Sequence, residues 1–369
     1  MHIVFVDSVP WPYRIDAPLN RPIGGTQSAL CYLMIALAGR GLRVTLINAA
    51  PPHEYRSVRA ISSSFPPAAI ADAEAVIMIN DPVPGSLAQL TPLAPRAKKI
   101  LWQHHAPDQP SVQMMAEAET LRAWDAVIFV SAWQEQEYVK TFPAVAAARH
   151  KVLRNAISPA FENLFGGLPV LACKSPAPRL AYTSTPFRGL DRLLLAWPQV
   201  LAAYPGAELQ IFSSMKLYQS DDPEPIARLL DHARQSPGVT HVGPVPQSEL
   251  AEAMRESLIL AYPNSFPETA CIAVMEALAA GCIVVTSDMA ALPETLGGYG
   301  EFVPYQPDLQ AHANDFARRL IEVMAQANTD WKSGMLEKRL AAQVAWAHET
   351  YSWAARAGEW EAWLRELCA

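Results

Sequence analysis

The chain has 369 residues, 51% of them hydrophobic and 18% charged, and 29 Lys and Arg against 36 Asp and Glu leave a formal net charge of −7 at pH 7. That length is more than one core usually holds, so two domains are expected; the acidic balance argues against a nucleic-acid partner, and no apolar run is long enough to span a bilayer. Five scattered cysteines, Cys31, Cys173, Cys271, Cys282 and Cys368, form no C-x-x-C pair, which argues against a disulfide framework or zinc site and fits reduced thiols in a cytoplasmic protein.

The chain opens on His2-Ile-Val-Phe-Val, an apolar run suited to a buried parallel strand rather than a signal peptide. A loop with Pro10, Pro12, Pro18 and Pro22 follows, ending in Gly24-Gly25-Thr26 before a helical stretch, Gln27–Gly39. A glycine pair opening a helix lets a ligand approach the backbone, but it is not the dinucleotide fingerprint G-x-G-x-x-G, and the strand expected at Arg43–Asn48 lacks the acid that fingerprint requires. Further strands are expected at Ala75–Ile79, Lys99–Trp102 and Ala126–Val130, with helices near Ser111–Ala123 and Trp133–Thr141. Alternation of this kind gives a doubly wound parallel sheet whose ligands bind beyond the carboxyl ends of the strands, where Gln103-His104-His105 falls.

Ser158–Pro178, with Gly166-Gly167, Pro169, Pro176 and Pro178, has the composition of a linker, and the expected division is residues 1–165, 166–350 and a final helix at 351–369. Residues 1–165 hold 14 basic against 13 acidic side chains and the remainder 15 against 23. The first half is therefore the side expected to face an anionic acceptor or, peripherally, a membrane. Strands are expected again at Arg179–Thr183, Gln210–Phe212, Leu258–Tyr262 and Cys282–Thr286, alternating with helices through Leu201 and at Pro225–Ala233 and Glu249–Arg255. Beyond Leu309 the chain reads as helical, and Trp353, Trp360, Trp363 and Leu364 form an apolar stripe.

The stretch Asn264-Ser-Phe-Pro-Glu-Thr-Ala-Cys-Ile-Ala-Val-Met-Glu-Ala-Leu-Ala-Ala-Gly281 carries the chemistry. Pro267 keeps its neighbour extended, and Ile272, Met275, Leu278 and Ala279 fall at helical spacing from Thr269, so Glu268 is expected at a loop-to-helix junction and Gly281 at the helix end. The first turn of such a helix offers backbone N–H groups and the positive end of a dipole to an anion such as a diphosphate. Glu276 follows about 10 Å further along.

Glu268 and Glu276, with the continuation A-x-A-A-G-C-I-V-V-T-S-D, resemble the E-x7-E signature of retaining glycosyltransferases of the GT-B fold, family 4, the glycosyl transferases group 1. That resemblance implies two Rossmann-like domains facing a cleft, with the last helix crossing back onto the first. It also implies transfer of a hexosyl group from a UDP- or GDP-sugar to a hydroxyl of a glycan, glycolipid or polysaccharide precursor. Carried over, Glu268 faces the transferred sugar with His104, or less clearly His105, and Glu276 bonds the ribose. Thr269 and Ala270 line the donor in place of the family's glycines, which narrows the pocket. Gly25 borders the phosphates or acceptor, and the backbone of Pro244 and Val245 holds the base. Arg188 in Thr185-Pro-Phe-Arg-Gly stands where the family has a diphosphate-binding lysine. The family's companion arginine has no counterpart, its place falling at Thr183 and Ser184, and Lys216 in Ser213-Ser-Met-Lys is the candidate to make up the missing charge. No D-x-D pair ends a strand, so no essential divalent cation is expected. A sugar-nucleotide epimerase, or a protein that binds nucleotide-sugars without turnover, would use the same architecture.

Overall fold

In the computed structural model, residues 1–175 and 177–369 are described; Pro176, one of the prolines of the expected linker, lies outside them. The chain divides into two units. One comprises Met1–Pro18, Gly25–Ala156 and Ser352–Ala369, the other Leu19–Gly24 and Ile157–Tyr351, so that the linker-like segment from Ser158 onward lies within the second.

In the first unit the buried apolar runs become strands: β1 His2–Asp7, β2 Arg43–Asn48, β3 His53–Tyr55, β4 Val58–Ser62, β5 Ala75–Ile79, β6 Lys98–Gln103, β7 Ala126–Phe129 and β8 His150–Val152. They form an eight-stranded sheet among the described residues, in the order β3-β4-β2-β1-β5-β6-β7-β8. Its pairs are parallel except β3 with β4. Phe5 of β1 faces Leu46 on one side and Ile77 on the other. The helix Gly25–Gly39, apolar almost all round and therefore buried, connects β1 to β2. The final helix, Trp353–Cys368, packs against it and sets the Trp360 ring 4.9 Å from Trp102 and 6.3 Å from Phe5, as the aromatic stripe implied.

The second unit repeats the plan with β9 Arg179–Tyr182, β10 Glu208–Ile211, β11 Val239–His241, β12 Ile259–Tyr262, β13 Ile283–Ser287 and β14 Gly300–Val303, all parallel, in the order β11-β10-β9-β12-β13-β14. Each sheet thus reverses its winding at one place, between β1 and β5 in the first and between β9 and β12 in the second. In an open α/β sheet such a reversal marks the crevice, beyond the carboxyl ends of the strands, where ligands bind.

Two helix expectations are corrected, and one hairpin was not foreseen. The helix expected over Ser111–Ala123 is a 3-10 segment, Pro110–Ala116, and a short helix, Ala118–Arg122, because Glu117 between them is extended. The β3–β4 hairpin had no sequence signature, since Arg56 and Ser57 occupy its turn at φ 46° and 63°, where Asn-Gly would have announced it. The helix expected from Thr269 begins at Ile272.

Candidate active site

The winding of the second sheet reverses where Tyr182 ends β9 and Tyr262 ends β12, so the loops bearing Arg188 and Glu268 leave the sheet side by side. Gly189 makes their approach possible. At φ 111° it adopts a backbone that other residues avoid, and a Cβ there would lie 2.0 Å from the carbonyl oxygen of Pro263. The loop after β12 is folded by its own side chain: Asn264 Oδ1 accepts from the Phe266 N–H at 3.1 Å, and its Nδ2 donates to the Phe266 carbonyl at 2.6 Å. Ser287 Oγ donates to the Asn264 carbonyl at 2.6 Å.

Glu268 lies buried at the crevice, with Arg188 Nη1 donating to its Oε1 at 2.8 Å and the Tyr262 hydroxyl donating to the same oxygen at 2.6 Å. Ser184 Oγ donates to that hydroxyl in turn, at 3.2 Å. The Arg188 guanidinium carbon sits 4.4 Å from the Phe266 ring centre and 5.5 Å from that of Phe187. Burial disfavours the charged guanidinium, yet Glu268 together with Tyr262, Tyr218 and Cys271 outweighs it and holds Arg188 above its usual range. Burial, then Glu268, pushes the hydroxyl of Tyr262 and the thiol of Cys271 well up, so both stay protonated. Arg188 Nε and Thr185 Oγ1, on the same loop, are buried without a hydrogen-bond partner among the described residues.

Glu268 does not stand at the helix junction. Its carbonyl accepts from the Ala291 N–H at 3.0 Å, which ties the segment to the loop after β13 and keeps it out of the helix. Cys271 caps Ile272–Ala279 without a side-chain bond, and Thr269 and Ala270, half-buried, precede the first turn rather than form it. Glu276, in the second turn of that helix, is buried and accepts the Ser158 N–H at 3.1 Å. Burial raises its carboxyl to about 8, the Ser158 bond opposing the rise. Pro244 and Val245 lie half-buried in the loop between β11 and the helix Gln247–Glu256. Lys216 is exposed in the 3-10 turn Met215–Tyr218 after β10.

Gly25 begins its helix and is exposed. His104 follows β6, where its N–H donates to Asn80 Oδ1 at 2.6 Å and its ring lies 4.5 Å from that of Trp102. Burial, then the neighbouring His105, lowers His104 to about 3 against a hydrogen bond with Asn155, which makes it a neutral imidazole at physiological pH. Burial also lowers His105, whose Nδ1 lies 3.0 Å from Ser111 Oγ and whose carbonyl accepts from Gln134 and Tyr138. The sequence reading passed over Asp7, buried at the end of β1, which accepts from the Tyr13 hydroxyl at 2.6 Å and Gln27 Nε2 at 3.2 Å. An acid closing an apolar strand was the available signal. Ser158, inside a stretch read as linker, gave none.

Residues 177–326 match the family model described as Glycosyl transferases group 1. The match covers β9 through β14 and so takes in Arg188, Glu268 and Glu276. Across 94% of this chain and 93% of the relative, it is 27% identical to the phosphatidyl-myo-inositol mannosyltransferase of Mycobacterium tuberculosis. Among solved structures it resembles sucrose-phosphate synthase from Thermosynechococcus elongatus, with TM-score 0.71 and 17% identity over 99% of this chain and 98% of that one. It also resembles Anabaena HepE in complex with UDP-glucose, with TM-score 0.65 and 16% identity over 99% and 100%. These likenesses establish the fold as GT-B.

Proposed function

We propose that the protein is a retaining glycosyltransferase that moves a sugar from a UDP- or GDP-sugar to a hydroxyl of a glycan or lipid-linked acceptor. One observation carries the reading: within a region matching glycosyl transferases group 1, a buried carboxylate and a guanidinium meet at the switch point of the sheet, 2.8 Å apart. The relatives named for mannosyl transfer to phosphatidyl-myo-inositol, and the neighbour solved with UDP-glucose, support a nucleotide-sugar donor. No helix among the described residues is long and apolar enough to cross a membrane, so a lipid-linked acceptor would be met peripherally.

The chemistry follows from the charges. When the bond from the anomeric carbon to the diphosphate breaks, negative charge grows on the leaving oxygen, and Arg188 with the amino end of the Ile272–Ala279 helix lies on the donor side to receive it. Arg188 Nε and Thr185 Oγ1 offer polar groups that hydrogen bonds within the described residues leave unused. Double displacement needs a second carboxylate close to the sugar, and Glu276, eight positions on, within the helix and held by Ser158, does not provide it. The acceptor hydroxyl therefore attacks from the face the diphosphate leaves, passing its proton to the departing oxygen, while Glu268 and neutral His104 orient the sugar. Glu276 bonds the ribose, Pro244 and Val245 border the base, and Thr269, Ala270 and Gly25 line the donor. Arg188 and the helix supply the positive charge, so transfer proceeds without a divalent cation and persists in EDTA.

The test is incubation of the purified protein with a panel of UDP- and GDP-sugars and hydroxyl acceptors, with the product anomer read by NMR. A glycoside with the donor's anomeric configuration is expected. Inverted product would sink the retaining mechanism, and an altered sugar released without acceptor would identify an epimerase instead.

A further inference from the structure

We infer that Tyr262 is a positioning residue for Glu268, its hydroxyl fixing the carboxylate in the orientation that catalysis uses, with Ser184 holding that hydroxyl in place. The inference deepens the transferase reading and rests on it. Tyr262 is buried, so it acts only through what it touches. It touches Glu268 Oε1 at 2.6 Å, the oxygen already bonded to Arg188 Nη1 at 2.8 Å. A lone arginine and a carboxylate prefer a fork in which two N–H groups meet both oxygens. Here both bonds fall on one oxygen, one from the phenol at the end of β12 and the other from the guanidinium on the loop after β9. The phenol is itself anchored. Ser184 donates to it at 3.2 Å, and its ring meets that of Tyr182 edge-on at 5.8 Å. Tyr182, at the matching end of β9, donates to the Thr185 carbonyl at 2.7 Å and so steadies the loop that bears Arg188. The paired tyrosines thus set the two loops in register from beneath the crevice. Burial and the adjacent carboxylate keep the Tyr262 phenol protonated, which preserves it as a donor.

Replacing Tyr262 by Phe removes one hydroxyl and leaves the ring packing. With one donor gone, the Glu268 carboxylate turns to the bidentate fork with Arg188. The test compares wild-type, Y262F and S184A proteins in two arms. In kinetics, Y262F should lower kcat by about tenfold to a hundredfold, the worth of one hydrogen bond to a charged group, with the donor KM within a factor of about two. S184A should move kcat in the same direction by less, and adding it to Y262F should cost nothing more. In ligand-free crystals of Y262F, the carboxylate should be rotated toward Arg188. Wild-type kcat in Y262F, or a carboxylate that superposes on the wild-type position, would overturn the inference. So would a loss confined to thermal stability, the mark of a purely structural tyrosine. Failure of the wild-type protein to transfer any sugar would remove the transferase reading, and the crystallographic arm would still decide the role of Tyr262. Should Y262F fail to fold, S184A carries both arms.

Discussion

The loop after β12 and the helix that follows it bury two glutamates eight positions apart in opposite ways. Glu268, in the loop, is enclosed by donors: a guanidinium, a phenol and, through the phenol, a serine. Glu276, in the helix, is buried on an otherwise apolar element, and its carboxylate accepts the backbone N–H of Ser158. A buried carboxylate keeps its charge when cation and hydrogen bonds replace the water it lost, and takes up a proton when they do not. The two positions therefore suit different tasks in the proposed reaction, one a carboxylate fixed in orientation by its donors, the other a group able to exchange hydrogen bonds with hydroxyls. Substitutions that remove either environment test the contrast.

The largest effect belongs to Glu268. E268Q keeps the shape and loses the charge, and turnover should fall by about a thousandfold, the upper range for removing one preorganised electrostatic group, with little change in nucleotide affinity. Steady-state kinetics alongside calorimetric titration of UDP and GDP would read both. Equal losses in turnover and affinity would place Glu268 on the nucleotide rather than the sugar. G189A comes next, since a Cβ 2.0 Å from the Pro263 carbonyl, at a residue with φ 111°, forces the two loops apart. About 3 kcal/mol of stability should be lost, measured by urea denaturation, and the Arg188–Glu268 pair with it. A variant as stable as wild type would mean that the loops can separate without cost. R188A leaves Glu268 with the Tyr262 hydroxyl and the Cys271 thiol, and about 2 kcal/mol should disappear, less than for a fully buried pair because the arginine side chain is 22% exposed. Binding of nucleoside diphosphates should weaken far more than that of nucleosides, and equal losses would remove the diphosphate role.

What the sequence revealed follows the same division. Apolar runs and their alternation carried the central strands to within a residue or two, because a strand buried on both faces is written in Val, Ile, Leu and Phe, whereas the short β3, β4, β8 and β14 lacked such runs and were not foreseen. Glu268, Glu276 and Arg188 were legible as residues because charge within such runs is conspicuous. Their partnerships were not. The contact between Arg188 and Glu268 depends on β9 and β12 being neighbours across 80 positions of sequence, which only the strand order determines. Ser158 lies 118 positions from Glu276 and contributes a backbone N–H, which any residue but proline would supply. The late start of the helix was hidden for a related reason: the bond from Ala291 to the Glu268 carbonyl comes from another loop and overrides the local helical spacing.

The effect that bears most directly on the contrast is the pH dependence of Glu276. Its carboxyl titrates at about 8 in the folded protein against 4.5 for an ordinary glutamate. Below pH 4.5 both states are protonated and the residue adds no slope. Between 4.5 and about 8 the unfolded chain releases the proton while the folded protein retains it, so the folded state binds more protons and loses stability as pH rises, by up to about 1.4 kcal/mol per pH unit. Above that window the loss is complete and the slope vanishes. E276Q, neutral throughout, should flatten the decline, leaving the variant more stable than wild type at pH 8 and close to it at pH 5. Urea midpoints at the two pH values measure this directly. Parallel wild-type and E276Q curves would show that Glu276 is ionised in the fold, which would require a partner for its charge beyond the Ser158 N–H and would erase the difference between the two carboxylates.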